Sequence, residues 1–347
     1  MRENNFDLLR LMAALGVFWA HGSLFYDLQI TPFFNNTYSM GSLSVYVFFF
    51  ISGYLNVQSW SRTAQWTAFG IKRALRIFPG LLAAAFISVF VIGGLMTTLD
   101  LKSFLSSGQT WGLFVNYGTG LATLNDLPGV FAHNPIQNAV NGSLWTIKYE
   151  VLMYVLLVLF GMTLGLSRRI LVLVVAVSAA AFLLVKIPAL DDGAISWRDF
   201  WQFATMFFAG AAFNYIPVDR RLWLVLPMLL GSVIACTGTT LAIVQGAVFL
   251  CLPGAVFLLA YWKPLTRIRL RHDLSYGIYI YAFPVQQALT EISLRHGISK
   301  PIYMVLALVI VLMLALASWV FIERPAIAWS RSLVPPTRRS SHPHVKP

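Results

Sequence analysis

Long apolar segments dominate this sequence and limit the folds it can adopt. Hydrophobic residues make up 58% of the 347 residues and only 11% are charged, whereas a soluble domain carries about 25% charged residues. A helix needs about 20 apolar residues to cross a bilayer. We therefore predict an all-α, polytopic membrane protein with about ten transmembrane helices. The apolar segments are Asp7–Tyr26, Gly41–Ser59, Leu75–Leu99, Leu144–Leu164, Ile170–Ile187, Phe200–Tyr215, Leu222–Thr237, Leu241–Tyr261, Leu274–Ser293 and Ile302–Ile322.

Basic residues are concentrated in alternate loops between these segments. Because cytoplasmic loops carry an excess of Lys and Arg, this asymmetry predicts that both termini are cytoplasmic. It also explains the net charge of +12 without nucleic-acid binding. The basic set of loops holds Arg2; Arg62, Lys72, Arg73 and Arg76; Arg168 and Arg169; Arg220 and Arg221; Lys263, Arg267, Arg269 and Arg271; and Arg331, Arg338, Arg339 and Lys346.

The first apolar segment contains an arginine and a histidine. Arg10 and His21 share one face of a helix, because eleven residues make close to three full turns. They are about 16 Å apart along the helix axis. A charged side chain inside a bilayer costs at least about 2.5–3.5 kcal/mol, so such residues indicate function. The alternative is that both side chains snorkel to opposite interfaces.

Glu150 is a candidate partner for His21. The predicted topology runs the fourth segment inward from Ser143, which places Glu150 about 9–10 Å below its outer end. His21 lies at a similar depth in its own helix. A carboxylate bonded to an imidazole fixes its tautomer and raises its basicity. We expect a catalytic pair; a pair that only joins two helices is the alternative.

Three arginines are expected near the cytoplasmic end of the helices. Arg73 and Arg76 are three residues apart on the third helix and share a face, and Arg10 lies at similar depth. Guanidinium groups bind phosphate in a bidentate manner, so this group indicates phosphate binding. Ordinary positive-inside anchoring is the alternative explanation. Glu323 is expected to form a structural ion pair near this face.

Several hydroxyl and aromatic side chains are candidates for lining a substrate channel. Ser52 lies deep in the second apolar segment but has no G-x-S-x-G frame around it, so a packing or channel-lining role is favoured over a nucleophile. Tyr54, Trp145, Tyr276 and Tyr279 are the other candidates. No metal site is predicted, because the two cysteines lie within apolar segments without a ligand pattern.

The longest segment between predicted helices runs from Asp100 to Asn141. It is rich in Gly, Asn and Pro and contains Trp111, Phe114, Tyr117 and Phe131. A long loop that keeps aromatic residues is expected to fold back on the membrane surface, where it covers a site or binds an acceptor. An interfacial aromatic belt is the alternative.

Six short motifs occur in one order along the chain, and together they resemble the acyltransferase-3 family of bacterial membrane O-acyltransferases. The similarity is closest to the branch that acetylates exopolysaccharides. One difference is visible, because the fifth motif often continues into Trp-His or Leu-His and here reads Tyr281-Ala282. The motifs are Asp7–Arg10 with His21, Phe48–Tyr54, Arg73–Pro79, Asn141–Thr146 with Glu150, Leu274–Tyr279 and Ile322–Pro325.

The resemblance implies an activity and a set of partners. Members transfer an acyl group, here most simply acetyl from acetyl-CoA, to a hydroxyl of a cell-surface glycan or lipid-linked oligosaccharide at the bacterial inner membrane. By motif, His21 and Glu150 are expected to be catalytic, and Arg10, Arg73 and Arg76 to bind the acyl-CoA donor. No permanently bound cofactor is implied. Residues 1–332 form the transmembrane domain, and residues 333–347 form a disordered basic cytoplasmic tail.

A transport function is the alternative from another class. An intramembrane arginine, histidine and glutamate can form a proton relay, as in a proton-coupled transporter. The chain has no matched pair of interrupted helices in two halves, which argues against this function. A flippase or scaffold that works with polysaccharide assembly proteins is a third interpretation.

Overall fold

The computed structural model of the protein describes residues 4–26, 33, 37–124, 126–184, 195–217 and 222–334. Within these ranges the chain is helical, and its one β-contact is a bridge between Phe33 and Tyr38. The predicted all-α class is confirmed, while the predicted tail beyond Val334 lies outside the described residues. The α-helices are α1 Phe6–Tyr26, α2 Met40–Thr63, α3 Trp66–Phe86, α4 Gly93–Met96, α5 Leu101–Ser106, α6 Gly108–Gly118, α7 Ile147–Thr163, α8 Arg168–Leu184, α9 Trp197–Phe213, α10 Val225–Thr237, α11 Leu241–Ala260, α12 Lys263–Thr266, α13 Ser275–His296, α14 Lys300–Ser318 and α15 Arg324–Leu333.

Six helical stretches in the described part of the chain are long and apolar enough to cross a membrane. The other predicted spans are also helices, namely α8, α9, α10 and α13. They are shorter or more polar, so the count of ten and the sidedness of the termini remain predictions. The six stretches are Phe6–Phe25, Met40–Thr63, Trp66–Met96, Leu144–Thr163, Leu241–Ala260 and Lys300–Leu333.

Two of these stretches are interrupted by π-helical turns. The third stretch has 31 residues, or about 46 Å at 1.5 Å per residue, which exceeds a hydrocarbon core of about 30 Å. It includes Pro79 and a π-helical segment at Ile87–Ile92. The last stretch contains a second π-helical segment, Trp319–Glu323. Such π-bulges often occur at functional sites, and the second one carries Glu323.

The segment between α4 and α7 packs against the helical bundle. Asn134 donates to the backbone and side-chain oxygens of Gln287 on α13, at 3.0 and 2.7 Å. The Gln287 amide in turn donates to the carbonyls of Ile136 and Ala139. Asn141 donates to the Ile280 carbonyl at 2.9 Å. These bonds fix the segment onto α13, and its Phe131 is buried.

Helix α2 lies at the centre of the bundle, packed against α1, α7 and α9. Two glycines allow α2 and α9 to approach closely. A Cβ atom at Gly53 would lie 1.8 Å from the Phe207 carbonyl oxygen, and one at Gly210 would lie 1.9 Å from that of Phe50. Any side chain at these positions would therefore separate the two backbones.

We predict that Gly53→Ala destabilises the protein. The added methyl group meets rigid backbone on α9, and overpacking of this kind costs about 1–3 kcal/mol. The measurement is thermal unfolding of the detergent-purified protein, followed by tryptophan fluorescence, with a lower midpoint expected. The matched control is Gly70→Ala on α3, where a Cβ meets no atom within 4 Å. Equal midpoints for the two variants would contradict the close approach of α2 and α9.

Candidate active site

Two cavities lie inside the helical bundle and account for most of the predicted site residues. The first, here called the arginine cavity, has a volume of about 100 Å³. The second, here called the histidine cavity, has a volume of about 430 Å³. The arginine cavity is lined by Arg10, Ser52, Arg73, Arg76, Glu150 and Tyr276, among others. The histidine cavity is lined by His21 and Trp145, among others.

An acidic residue just before α13 joins two of the three arginines. One carboxylate oxygen of Asp273 lies 2.7 Å from Nη2 of Arg76 and 3.2 Å from Nη1 of Arg10. Its other oxygen accepts a hydrogen bond of 2.7 Å from Ser275. Burial raises the pKa of Asp273, but the guanidinium groups of Arg10 and Arg76 outweigh it and hold this pKa well below its ordinary value. The carboxylate is therefore ionised under all physiological conditions.

Glu323 supplies the second acidic contact to Arg76. Its Oε2 lies 3.5 Å from Nη1 of Arg76, its Oε1 accepts a 2.8 Å bond from Ser318, and the side chain is 1% exposed. The expected structural ion pair is thus present. The Arg76 guanidinium also lies over the rings of Tyr276 and Trp319, at 5.8 and 5.9 Å.

Arg73 differs from the other two arginines of the cavity. Its guanidinium lies 5.6 Å above the ring of Phe69. Glu150 and Tyr154 lie near it, but among the described residues it forms no ion pair, and its Nε is buried without a hydrogen bond. A buried donor that lacks a partner is costly. Arg73 is therefore the arginine of this cavity that is most available to an anionic ligand.

Glu150 is held by α2 and by its own helix. Its carboxylate accepts hydrogen bonds from the Ser52 hydroxyl at 3.3 Å and from the Tyr154 hydroxyl. Ser52 also lies 3.1 Å from the Tyr154 hydroxyl and accepts from the Asn56 amide at 3.1 Å. The cluster of Ser52, Glu150, Tyr154 and Asn56 therefore forms one polar wall of the arginine cavity.

The expected hydrogen bond between His21 and Glu150 is absent, and this prediction is corrected. His21 lines the histidine cavity, whereas Glu150 lines the arginine cavity. The reason is that His21 packs against Phe283 of α13, while Glu150 is bonded by Ser52 of α2 and by Tyr154 of its own helix. Equal depth along two helices therefore did not bring their side chains together.

His21 lies against α13 rather than against a carboxylate. Its ring makes an edge contact with Phe283, with the ring centroids 5.1 Å apart. Its Nδ1 is buried and has no hydrogen-bond partner in the described part of the chain. The imidazole therefore has an unused proton-accepting or proton-donating atom at the histidine cavity.

Tyr279 lies between the two cavities. It and Val45 line both of them. The Tyr279 hydroxyl is 2.6 Å from Oγ1 of Thr146, and its ring contacts Phe48 at 5.7 Å. Tyr276, one turn earlier, lines only the arginine cavity of the two and donates to the Ile77 carbonyl at 2.9 Å. The cavities thus adjoin at a wall of few side chains.

Tyr54 is the one predicted channel residue that the structure directs elsewhere. Its hydroxyl lies 2.8 Å from that of Tyr261, and its ring contacts Phe6 at 4.9 Å in a separate apolar cluster. Two residues along a helix correspond to a rotation of about 200° around the helix axis. Tyr54 therefore points away from the face that carries Ser52. The expectation that Tyr54 lines the channel is corrected accordingly.

Several residues of the site, including Asp273 and Tyr154, were not among the sequence predictions. Asp273 is an isolated acidic residue after a run of basic residues, and this was the feature of the sequence that could have indicated it. Tyr154 lies one helical turn after Glu150, and this i,i+4 spacing places the two side chains together. The polar residues of α9 that line the histidine cavity were missed as well, because their helix had no recognisable motif.

Comparison with known proteins supports an enzymatic site. The model of a protein family described as "Acyltransferase domain" matches residues 3–323 of the chain. The chain belongs to this acyltransferase family. With its six apolar helical stretches, this acyltransferase is a multi-pass membrane protein.

Two curated relatives align with this acyltransferase over almost their whole length. Nodulation protein 10 of Rhizobium leguminosarum bv. viciae is 28% identical, over 96% of this chain and 95% of the relative. An O-acetyl transferase of Shigella phage Sf6 is 29% identical, over 93% of this chain and 96% of the relative. No solved structure matches the chain.

We predict that Asp273→Asn lowers the stability of this acyltransferase in a pH-dependent way. Because the pKa of Asp273 is lowered in the folded protein, its stabilising effect is complete above its unfolded pKa of about 3.9 and is lost below it. The difference in unfolding midpoint between wild type and variant should be constant from pH 8 to about pH 5 and should shrink below about pH 4.

Thermal unfolding across this pH range is the measurement, and the exposed Asp126→Asn is the control, with no midpoint difference expected. A difference between wild type and Asp273→Asn that already shrinks near pH 6 would contradict the ion network.

Proposed function

We propose that this acyltransferase moves a short acyl group, most simply acetyl, from cytoplasmic acyl-CoA to a hydroxyl of a cell-surface or lipid-linked glycan. It would act in the bacterial plasma membrane, with the arginine cavity open to the donor. The observation that carries the proposal is the adjacency of the two cavities. One contains three guanidinium groups, the other contains an imidazole with an unused nitrogen, and they share Val45 and Tyr279.

The donor is bound by its phosphates in this proposal. Arg73 provides the first contact, because it forms no ion pair among the described residues, and Arg10 and Arg76 add positive charge that Asp273 holds in place. A guanidinium group can donate two parallel hydrogen bonds to the oxygens of one phosphate. The distance of about 16 Å from Arg10 to His21 lets the extended pantetheine arm carry the thioester toward the histidine cavity.

His21 acts as the general base. It accepts the proton of the sugar hydroxyl while that oxygen attacks the thioester carbonyl, the carbon–sulfur bond breaks, and the proton passes to the departing coenzyme A thiolate. This is direct transfer, without an acyl-enzyme intermediate. Glu150 does not orient the imidazole in this scheme; together with Tyr154 it positions Ser52 and the wall of the donor cavity.

We predict that His21→Ala reduces acyl transfer by about 100-fold or more, since a general base contributes about 10²–10⁴-fold. The measurement is transfer of radiolabel from acetyl-CoA to a glycan fraction by the purified protein in liposomes. His296→Ala, at the end of α13, is the matched control and should retain activity. Full activity of His21→Ala would refute the proposed mechanism.

We predict that Arg73→Ala raises the KM for acetyl-CoA by about 10-fold or more, since a hydrogen bond to a charged group contributes about 1.5–3 kcal/mol. The exposed Arg168→Ala, at the start of α8, is the control and should leave this KM unchanged. The measurement is initial rate against donor concentration at saturating acceptor. An effect confined to kcat would argue against phosphate binding by Arg73.

A further inference from the structure

The histidine cavity has walls that differ in chemistry from those of the arginine cavity. Beyond His21, they combine aromatic rings with uncharged polar side chains. Its volume of about 430 Å³ lies within the range of about 300–1,000 Å³ typical of small-molecule sites. Its lining includes Tyr46, Trp145, Arg198, Asp199, Gln202 and Gln245.

A chain of hydrogen bonds fixes the polar side of this cavity. The Tyr46 hydroxyl donates to Oε1 of Gln202 at 2.5 Å, and Nε2 of Gln202 donates to Oδ1 of Asp199 at 2.5 Å. These two bonds set the orientation of the Gln202 amide. A primary amide carries two N–H groups, so one N–H of Gln202 remains to donate a hydrogen bond to a ligand.

Gln245 provides a second amide at the same cavity. The residue is 8% exposed, and its side chain bonds to none of the described residues. Its amide is not among the buried side-chain atoms that lack a hydrogen bond, so it is accessible at the cavity that it lines, where a ligand can bond to it. Gln202 and Gln245 come from α9 and α11, so a ligand between them would be held from two sides.

Trp145 adds an aromatic surface. Its ring contacts Tyr149 at 5.8 Å and Phe203 at 5.6 Å, which hold it in place, while the residue keeps 37% exposure. A sugar ring has an apolar C–H face and a rim of hydroxyl groups. A fixed indole suits that face, and side-chain amides suit that rim.

The charges of the cavity balance. Arg198 and Asp199 contribute one charge of each sign, and the Arg198 guanidinium lies over Phe182 at 5.6 Å. Among the described residues that line this cavity there is no excess of arginine or lysine, in contrast to the donor side. Recognition of an anionic sugar would need such an excess.

We propose that the histidine cavity is the acceptor subsite, and that Gln202 and Gln245 select a neutral sugar ring stacked on Trp145. This inference rests on the proposed function and deepens it. The ring would lie with one hydroxyl at His21, and the two amides would bond its other hydroxyls. The class of acceptor is therefore an uncharged hexose or deoxyhexose residue rather than a uronic or sialic acid.

The test is ligand binding in the absence of donor, so that it does not depend on turnover. Saturation-transfer NMR is recorded on the protein in liposomes with methyl glucoside, methyl galactoside, methyl rhamnoside and methyl glucuronide. We expect binding of at least one neutral glycoside, weakened about 10-fold or more in Gln202→Leu and in Gln245→Leu. His21→Ala should retain binding, and the exposed Gln109→Leu is the matched control. Acetyl-CoA binding reports that each variant is folded.

The outcomes separate the inference from the proposed function. Preference for the glucuronide, no binding of any neutral glycoside, or unchanged binding in both glutamine variants would overturn the inference. Acyl transfer that does not require His21 would instead overturn the proposed function. The inference about the acceptor would then still be decided by the glycoside-binding measurements.

Discussion

The site depends on the neutralisation of arginines inside an apolar helical bundle. Arg10 and Arg76 come from helices far apart in sequence, and both bind one oxygen of Asp273. The three side chains are 17–21% exposed, and a charge left without a partner at such a site is unfavourable. This contact therefore joins α1, α3 and the loop before α13 at one point.

The three arginines of the cavity differ in their acidic partners. Arg10 and Arg76 are held by acidic residues, while Arg73 is left with an unpartnered Nε in the same cavity. On the other side of Tyr279, His21 is likewise left with an unpartnered nitrogen. Unsatisfied buried polar atoms are few in a folded protein. Among the described residues such atoms also occur on Asn134, Gln286 and Glu291, so the support for the proposed function is the placement of guanidinium groups and an imidazole on the two sides of Tyr279.

The relative positions of residues on the same helix could be predicted from the sequence, whereas contacts between helices could not. Arg10 and His21 on one face, and Arg73 beside Arg76, follow from helical periodicity and are found at the cavities. The pairing of His21 with Glu150 was wrong because depth does not specify which helices touch: His21 packs against Phe283 of α13, and Glu150 is bonded by Ser52 of α2. Tyr54 was assigned with its motif rather than by its angle on the helix. Asp273 was missed because it lies in a basic loop, outside any periodic pattern.

The proposed function requires the acyl group to pass from the arginine cavity to His21 past Tyr279. This passage can be followed by photocrosslinking with a coenzyme A thioester that carries a diazirine in its acyl chain. We expect mass spectrometry to find the label on peptides of α1 around His21 and of α13 around Tyr279, and free coenzyme A to prevent labelling. Label confined to the outer surfaces of α8 and α10, or labelling that free coenzyme A does not reduce, would contradict it.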